Sequence, residues 1–295
     1  ENGDYLENIV SIAAGYTASY AVTAEGEVYG WGRNDDGELG IGSKSSEINE
    51  VYPVKMKKVS KIIQVAAGAN HAIMLDADGN VWSTGYNNSG QLGIGNTDVQ
   101  VLPQKMTGVS GIKEIAAGTN HSIMLAENGY VLSVGYNSYS QLGDGSSTYK
   151  TTAVYAKNTS NQYVSDAKHI KAGGDSTYIS RKKDTEGKSQ GMYVIGYNNY
   201  GQLFTKDQVS KDYITKVETD KDIITASITK KDCESSPFLR VYGSFNSRSL
   251  GRIRSSAAAG SATRRRLWWK MAFSSVLRAR RPLPAVRASA ACQRA

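Results

Sequence analysis

Three histidines, a few paired acids and several glycine-rich turns are the groups in this chain that could do chemistry. Histidine titrates near neutrality and is the usual proton carrier. His71 and His121 share one local context, Asn70-His71-Ala72 and Asn120-His121-Ser122. A catalytic residue is ordinarily unique, whereas a residue that recurs with a fixed period belongs to the scaffold. Both rings are therefore expected to be buried and hydrogen-bonded to a neighbouring strand or loop, since buried polar groups need fixed partners. His169, beside Ile170-Lys171, reads as a surface residue.

The acids read as turn formers. Asp35 and Asp36 stand where a later copy of the same motif has Asn88-Ser89, and Asp, Asn and Ser all serve turns. An acid–base pair would also need burial to separate its pKa values. Asp76, Asp78 and Asn80 alternate like the start of a calcium loop, but the sixth position, where an EF-hand needs glycine, is Val81. Gly30-Trp31-Gly32 and Gly93-Ile94-Gly95 are followed by neither a helix nor a Lys-Ser or Lys-Thr pair, so they do not cradle phosphate. Cys233 and Cys292 form no CxxC pair and support neither a disulfide framework nor a zinc site. No catalytic, cofactor-binding or metal-binding set assembles, and the chain reads as a non-enzyme without a cofactor.

These residues are positioned by a repeat. An Ala-Ala-Gly element ends at Gly15, Gly68 and Gly118, with Ala172-Gly173 as a fourth version. Each leads to a turn: Gly32-Arg33-Asn34-Asp35-Asp36-Gly37-Glu38-Leu39-Gly40, Gly85-Tyr86-Asn87 to Leu92-Gly93, Gly135-Tyr136-Asn137 to Leu142-Gly143, and Gly196-Tyr197-Asn198 to Leu203. The first glycines of these turns are 53, 50 and 61 residues apart. Between the two elements lie short alternating strands joined by Asp78-Gly79, Glu25-Gly26 or Asn128-Gly129, tight turns that suit positive φ. No apolar period of 3.6 is sustained. A period near 50 built from short strands gives one small antiparallel sheet per repeat. Such a sheet cannot bury both faces alone, and radial stacking buries them. The expected fold is an all-β propeller, incomplete, with the glycines Gly15, Gly68, Gly118 and Gly173 placed equivalently on crowded inner strands. Repeats fall at about 8–60, 61–110, 111–166 and 167–217, with a degraded fifth at 218–251 around Val241-Tyr242-Gly243.

At Ala66-Ala67-Gly68, Asn70-His71-Ala72, Asp78-Gly79, Thr84-Gly85 and Gly90-Gln91-Leu92-Gly93 the chain resembles the regulator of chromosome condensation repeat family, in its tandem bacterial form. The resemblance covers about residues 8 to 217. It implies a propeller of about seven blades and a protein-binding scaffold whose partners sit on loops at one face. The family's founding activity, guanine-nucleotide exchange on a small GTPase with chromatin binding, is the alternative. The family's exchange residues cannot be placed on these repeats.

Trp31, Trp82, Tyr86, Tyr136 and Tyr197 recur beside the turn glycines and read as packing between blades. The aromatics that break the repeat are the candidate partner-binding residues: Tyr139 and Tyr200, in place of Asp36 and Ser89, and Tyr149, Tyr155 and Tyr163 in an apparent insertion from Gly145 to Ala167.

Net charge is +8, but eleven of the 35 Lys and Arg fall in residues 252–295, which hold no acid. The body is left with 24 against 27 Asp and Glu, which argues against nucleic acid as its partner. The tail is rich in Ala and Arg, lacks Tyr, and includes Arg264-Arg265-Arg266-Leu267-Trp268-Trp269-Lys270. It reads as non-native or disordered, with a short helix around Leu267–Leu277, and the chain reads as a fragment of a larger bacterial protein. A secreted or cell-surface setting is favoured over the cytoplasm. No apolar run is long enough to span a membrane, and open blade edges make self-association an expectation.

Overall fold

A computed structural model describes residues 5–182 and 191–217, all within one compact unit, Glu1–Thr225. The fifth repeat at 218–251, the tail at 252–295 and its expected helix lie outside the described residues.

The described chain is all β. The first sheet runs β1 (Ile9–Ala14), β2 (Ala18–Thr23), β3 (Val28–Asn34) and β4 (Ser45–Lys55). The second has β5 (Ile62–Ala67), β6 (His71–Asp76), β7 (Val81–Gly85) and β8 (Gln100–Lys105). The third has β9 (Ile112–Ala117), β10 (His121–Ala126), β11 (Val131–Gly135) and β12 (Lys150–Tyr155). The fourth has β13 (Ala167–Gly173), β14 (Ser176–Arg181), β15 (Met192–Gly196) and β16 (Lys211–Lys216). Each is a four-stranded antiparallel meander in chain order. First strands neighbour one another, β1 on β5, β5 on β9 and β9 on β13, and among the described residues the series does not close. These are consecutive propeller blades with β1, β5, β9 and β13 innermost.

Each interface between blades is a separate apolar core. Tyr20, Val22 and Leu39 of the first blade pack on Ile62, Val65 and Met74 of the second. Ile73, Leu75 and Val81 meet Ile112, Ile115 and Met124, and Ile123, Leu125 and Val131 meet Ala167, Ile170 and Ile179. β6 and β10 are buried along their whole length because they carry neighbours on both faces.

Backbone bonds lace the inner ends together. The Tyr16 amide donates to Ala69 O at 3.2 Å, Ala69 to Thr119 O at 2.9 Å and Thr119 to Gly174 O at 2.8 Å. This close approach explains the inner glycines. A Cβ at Gly15 would lie 2.5 Å from Gly68 O, one at Gly68 2.5 Å from Gly118 O, and one at Gly118 2.6 Å from Gly174 O. Gly173 departs from the series. It holds the same place, paired with Ser176, yet a Cβ there meets nothing within 4 Å, because no described blade lies against it and a serine stands where Gly68 and Gly118 face the His71 and His121 rings, 2.1 Å from such a Cβ. Gly118→Ala is expected to cost about 2–3 kcal/mol through overpacking against a backbone that cannot move aside. Gly173→Ala should stay within about 0.5 kcal/mol. Urea melts of the two variants compare them directly, and equal losses would contradict this packing.

The segment read as an insertion contains a regular strand. Lys150–Tyr155 is the outer strand β12, with Tyr155 opposite Leu132. The extra length is confined to the connection 156–166, against 56–61 and 106–111 in the two earlier blades.

Candidate interaction site

The turn after the third strand of each blade is held by a buried asparagine. Asn87 accepts from the Leu92 amide at 2.9 Å and donates to Asn96 O and Asp98 O, both at 3.0 Å. Asn137 and Asn198 repeat this on Leu142 and Leu203, and Asn34 on Leu39. Two residues beyond the turn's apex, the Gln91 and Gln141 carboxamides accept from the Ser89 and Tyr139 amides, and Gln202 from Tyr200, at 3.0–3.1 Å. The turn tips are thus rigid mounts for whatever side chain they carry. Sequence reading placed this asparagine in the repeated turn and gave it no role of its own. Its recurrence at 34, 87, 137 and 198 was the available signal.

Between blades, each histidine closes a polar relay. Ser122 Oγ donates to Gln91 O at 2.8 Å, so its one hydrogen is used. His71 Nε2, 3.1 Å away, must then be the donor to Ser122 Oγ. The same logic holds for His121, Thr177 and Gln141 O. Both rings are buried. Each leaves Nδ1 bare and without a partner, so a proton there would be a buried charge without an acceptor. Burial lowers the pKa of His71 to about 4, and burial together with the nearby His71 lowers that of His121 to about 3. The rings are neutral and serve blade registry. His169 is exposed and lies 3.1 Å from Glu114, which also faces Lys171.

The candidate tyrosines separate into two clusters at opposite ends of the third blade. Gly135 pairs with His121 at one end of β10–β11, and the hairpin to Tyr130 closes the other. At the Gly135 end, Tyr136, Tyr139, Tyr197 and Tyr200 form a row, with ring centroids 6.2, 4.5 and 6.0 Å apart in turn. Tyr200 is 83% exposed and Tyr139 is exposed as well. Tyr136 and Tyr197, read as packing, are members of this surface row. Desolvation, followed by the neighbouring Tyr200 and Tyr139, raises the Tyr197 pKa. At the other end the Tyr155 and Tyr163 rings pack at a tilt with centroids 5.1 Å apart, and Tyr130, which sequence reading missed, meets both edge-on. Lys157 lies over Tyr163. Beside them is a cavity of about 220 Å³ lined by Tyr163, Asp166, Arg181 and Tyr193, in which Arg181 is already paired with Asp166 and Tyr193. Tyr149 is exposed and joins neither cluster.

The acids settle into local roles. Asp76 accepts from the Asp78 and Asn80 amides and from Trp82 Nε1, tying its own hairpin. Asp35 pairs with Arg33, and Asp36 accepts from Asn70 at 3.0 Å. Among the described residues no group of three or more His, Cys, Asp or Glu could hold a metal ion, and no helix is long and apolar enough to cross a membrane.

A stack of four-stranded meanders, bolted at the inner strands and carrying its variable residues on turn tips, defines a β-propeller of tandem repeats. The RCC1-like domain matches residues 2–233, and the chain belongs to that family. It is 42% identical over 89 residues to the human X-linked retinitis pigmentosa GTPase regulator, a match covering 30% of this chain and 9% of that protein. It is 42% identical over 94 residues to the human E3 ubiquitin-protein ligase HERC2, covering 31% and 2%. It is 38% identical over 88 residues to the Xenopus laevis Protein RCC2 homolog, covering 29% and 17%. The matched segments are thus a small part of each relative. In fold the chain is similar to human WBSCR16, with a TM-score of 0.62 at 20% identity over 73% of this chain and 56% of that one. These relatives are eukaryotic and give the expected bacterial origin no support.

Proposed function

We propose that this chain is a non-catalytic scaffold and that a protein partner docks on the row Tyr136–Tyr139–Tyr197–Tyr200. The observation that carries this reading is the departure of the row from the repeat. The first and second blades carry Asp36 and Ser89 at positions that become Tyr139 and Tyr200, on turns equally well braced. Large aromatic side chains on rigid mounts supply contact area at little entropic cost and are enriched among binding hot spots. The relatives support a shared docking role. One is named a GTPase regulator and another a ubiquitin ligase, and what a common propeller segment can offer both is a surface. Nucleotide exchange on a small GTPase remains the family's alternative, with no residue of the described sheets assigned to it.

The test is capture of partners by the full chain and by Tyr139→Ala/Tyr200→Ala, with Tyr163→Ala as the opposite-face control. Loss of two contributing tyrosines should weaken the principal partner by tenfold or more, at about 1–2 kcal/mol each, and Tyr163→Ala should not. Unchanged capture by the double variant rejects the row. Release of labelled GDP from a small GTPase by the wild-type chain would favour the alternative.

A further inference from the structure

Resting on the docking role given above, we propose that the corner of the tyrosine row around Tyr139 binds a basic side chain of the docked protein, an arginine before a lysine. Three departures from the repeat coincide there. Strand registers make Asp175 equivalent to Asn70 and Asn120, each just ahead of the second strand of its blade. They make Asp212 equivalent to Val101 and Thr151 on the outer strands. Two neutral positions thus become carboxylates at the junction of the third and fourth blades, where the turn tip becomes Tyr139.

Both carboxylates are tied to the Tyr139 turn. The Gln141 carboxamide accepts from the Tyr139 amide at 3.0 Å and donates to Asp175 Oδ1 at 3.4 Å. Ser140 Oγ donates to Asp212 Oδ1 at 3.0 Å. The Tyr197 amide donates to the Asp175 carbonyl at 3.0 Å, which sets this acid between the Tyr139 turn and Tyr197. The other junctions hold no such excess of charge. At the first, the Asp36 carboxylate accepts from Asn70 Nδ2. At the second, Gln91 donates to the neutral Asn120. Two further acids on the outer-strand side carry their own cations, Asp144 with Lys150 and Asp207 with Lys211. Among the described residues Asp175 and Asp212 have no ion pair. Desolvation raises the Asp175 pKa, against its one long bond from Gln141. Asp175 is half-buried and Asp212 exposed, within reach of a docked side chain. Two unpaired carboxylates beside the negative faces of tyrosine rings attract a cation and repel an anion. Guanidinium suits the corner better than ammonium, because it stacks on a ring and bonds a carboxylate through its fork at the same time.

The probe is a fluorescently labelled, acetylated and amidated peptide of alternating arginine and glycine. Its comparisons carry lysine, or the neutral isostere citrulline, in place of arginine. Anisotropy titrations use the full chain at low salt, where exposed charges are least screened. The arginine peptide should bind roughly tenfold more tightly than the citrulline peptide and about threefold more tightly than the lysine peptide. Asp175→Asn with Asp212→Thr should weaken it about fivefold, and Tyr139→Ser about threefold. Each replacement is the residue another blade carries at that position, at Asn120, Thr151 and Ser89, so the fold can hold it. Asp98→Asn removes an exposed acid beside the second blade's turn and should change affinity by less than about twofold. Equal binding of the arginine and citrulline peptides overturns the cation site. So does an arginine affinity that the paired Asp175→Asn/Asp212→Thr change leaves intact, or that Asp98→Asn lowers as much. Equal binding of the lysine peptide overturns the preference for guanidinium. Partner capture separates this site from the docking role. Capture lost with Tyr139→Ala/Tyr200→Ala but kept with the two acids replaced removes the cation and leaves the row, and capture kept with both removes the row itself.

Discussion

Lowering the pH from 7 to 5 should remove about 3–4 kcal/mol of folding stability, before most carboxylates titrate. The folded pKa values of His71 and His121, about 4 and about 3, lie below the ordinary value of about 6.5. Below pH 6.5 the unfolded chain takes up two protons that the folded chain refuses. Stability from these two groups is therefore complete above about pH 6.5 and falls as pH drops toward 4 and then 3. Each pH unit in that window costs about 1.4 kcal/mol per histidine. The cause is burial, and the geometry offers the proton no compensation: Nε2 is committed to a hydroxyl that has no second hydrogen to return, and Nδ1 faces no acceptor. Buried Glu38, whose pKa is raised by desolvation, works in the opposite sense at lower pH. Urea melts at pH 7 and 5 for wild type and His121→Gln measure the slope. Glutamine keeps a donor near Nε2 and does not titrate, so the slope should fall by about half. Equal slopes, or stability independent of pH in this range, would show that the rings are not the neutral donors described.

Asn87→Ala should cost about 2–3 kcal/mol, although the side chain touches no other blade through its amide. It strands the buried Leu92 amide, at about 1–3 kcal/mol, and releases the carbonyls of Asn96 and Asp98, which belong to exposed residues and can turn to water at little cost. Asn88→Ala, one residue along and exposed, should stay within about 0.5 kcal/mol. Asn87→Asp keeps the bond to Leu92 but sets a carboxylate against two carbonyls, so it should lie near Ala at pH 7 and recover as the carboxyl protonates. Equilibrium unfolding of the three variants decides the matter. A small loss for Asn87→Ala would mean that the turn is held by its glycines instead, and that the tyrosine row stands on a softer mount.

The two effects differ in origin, and so did their visibility. The recurrence of His71 and His121 marked them as structural, because one repeat's packing problem is solved the same way in the next. Their partners were not visible. Ser122 and Thr177 lie 51 and 56 residues from their histidines, and only the stacking of blades fixes which strand faces which.

Periodicity, alternation and turn chemistry by themselves determined the all-β repeat, the sheet in each repeat and the crowding at Gly15, Gly68 and Gly118. These depend on residues a few positions apart, where backbone geometry leaves few choices. Tertiary structure decided the rest. It drew Tyr136, Tyr139, Tyr197 and Tyr200 into one row and sent Tyr155 and Tyr163 to the opposite face, because a strand reverses the side of the molecule within six residues. It turned Lys150–Tyr155, in the middle of an apparent insertion, into an ordinary outer strand. It also freed Gly173 from the crowding its sequence position implied, since a close approach needs a second backbone, and no single repeat specifies its neighbour.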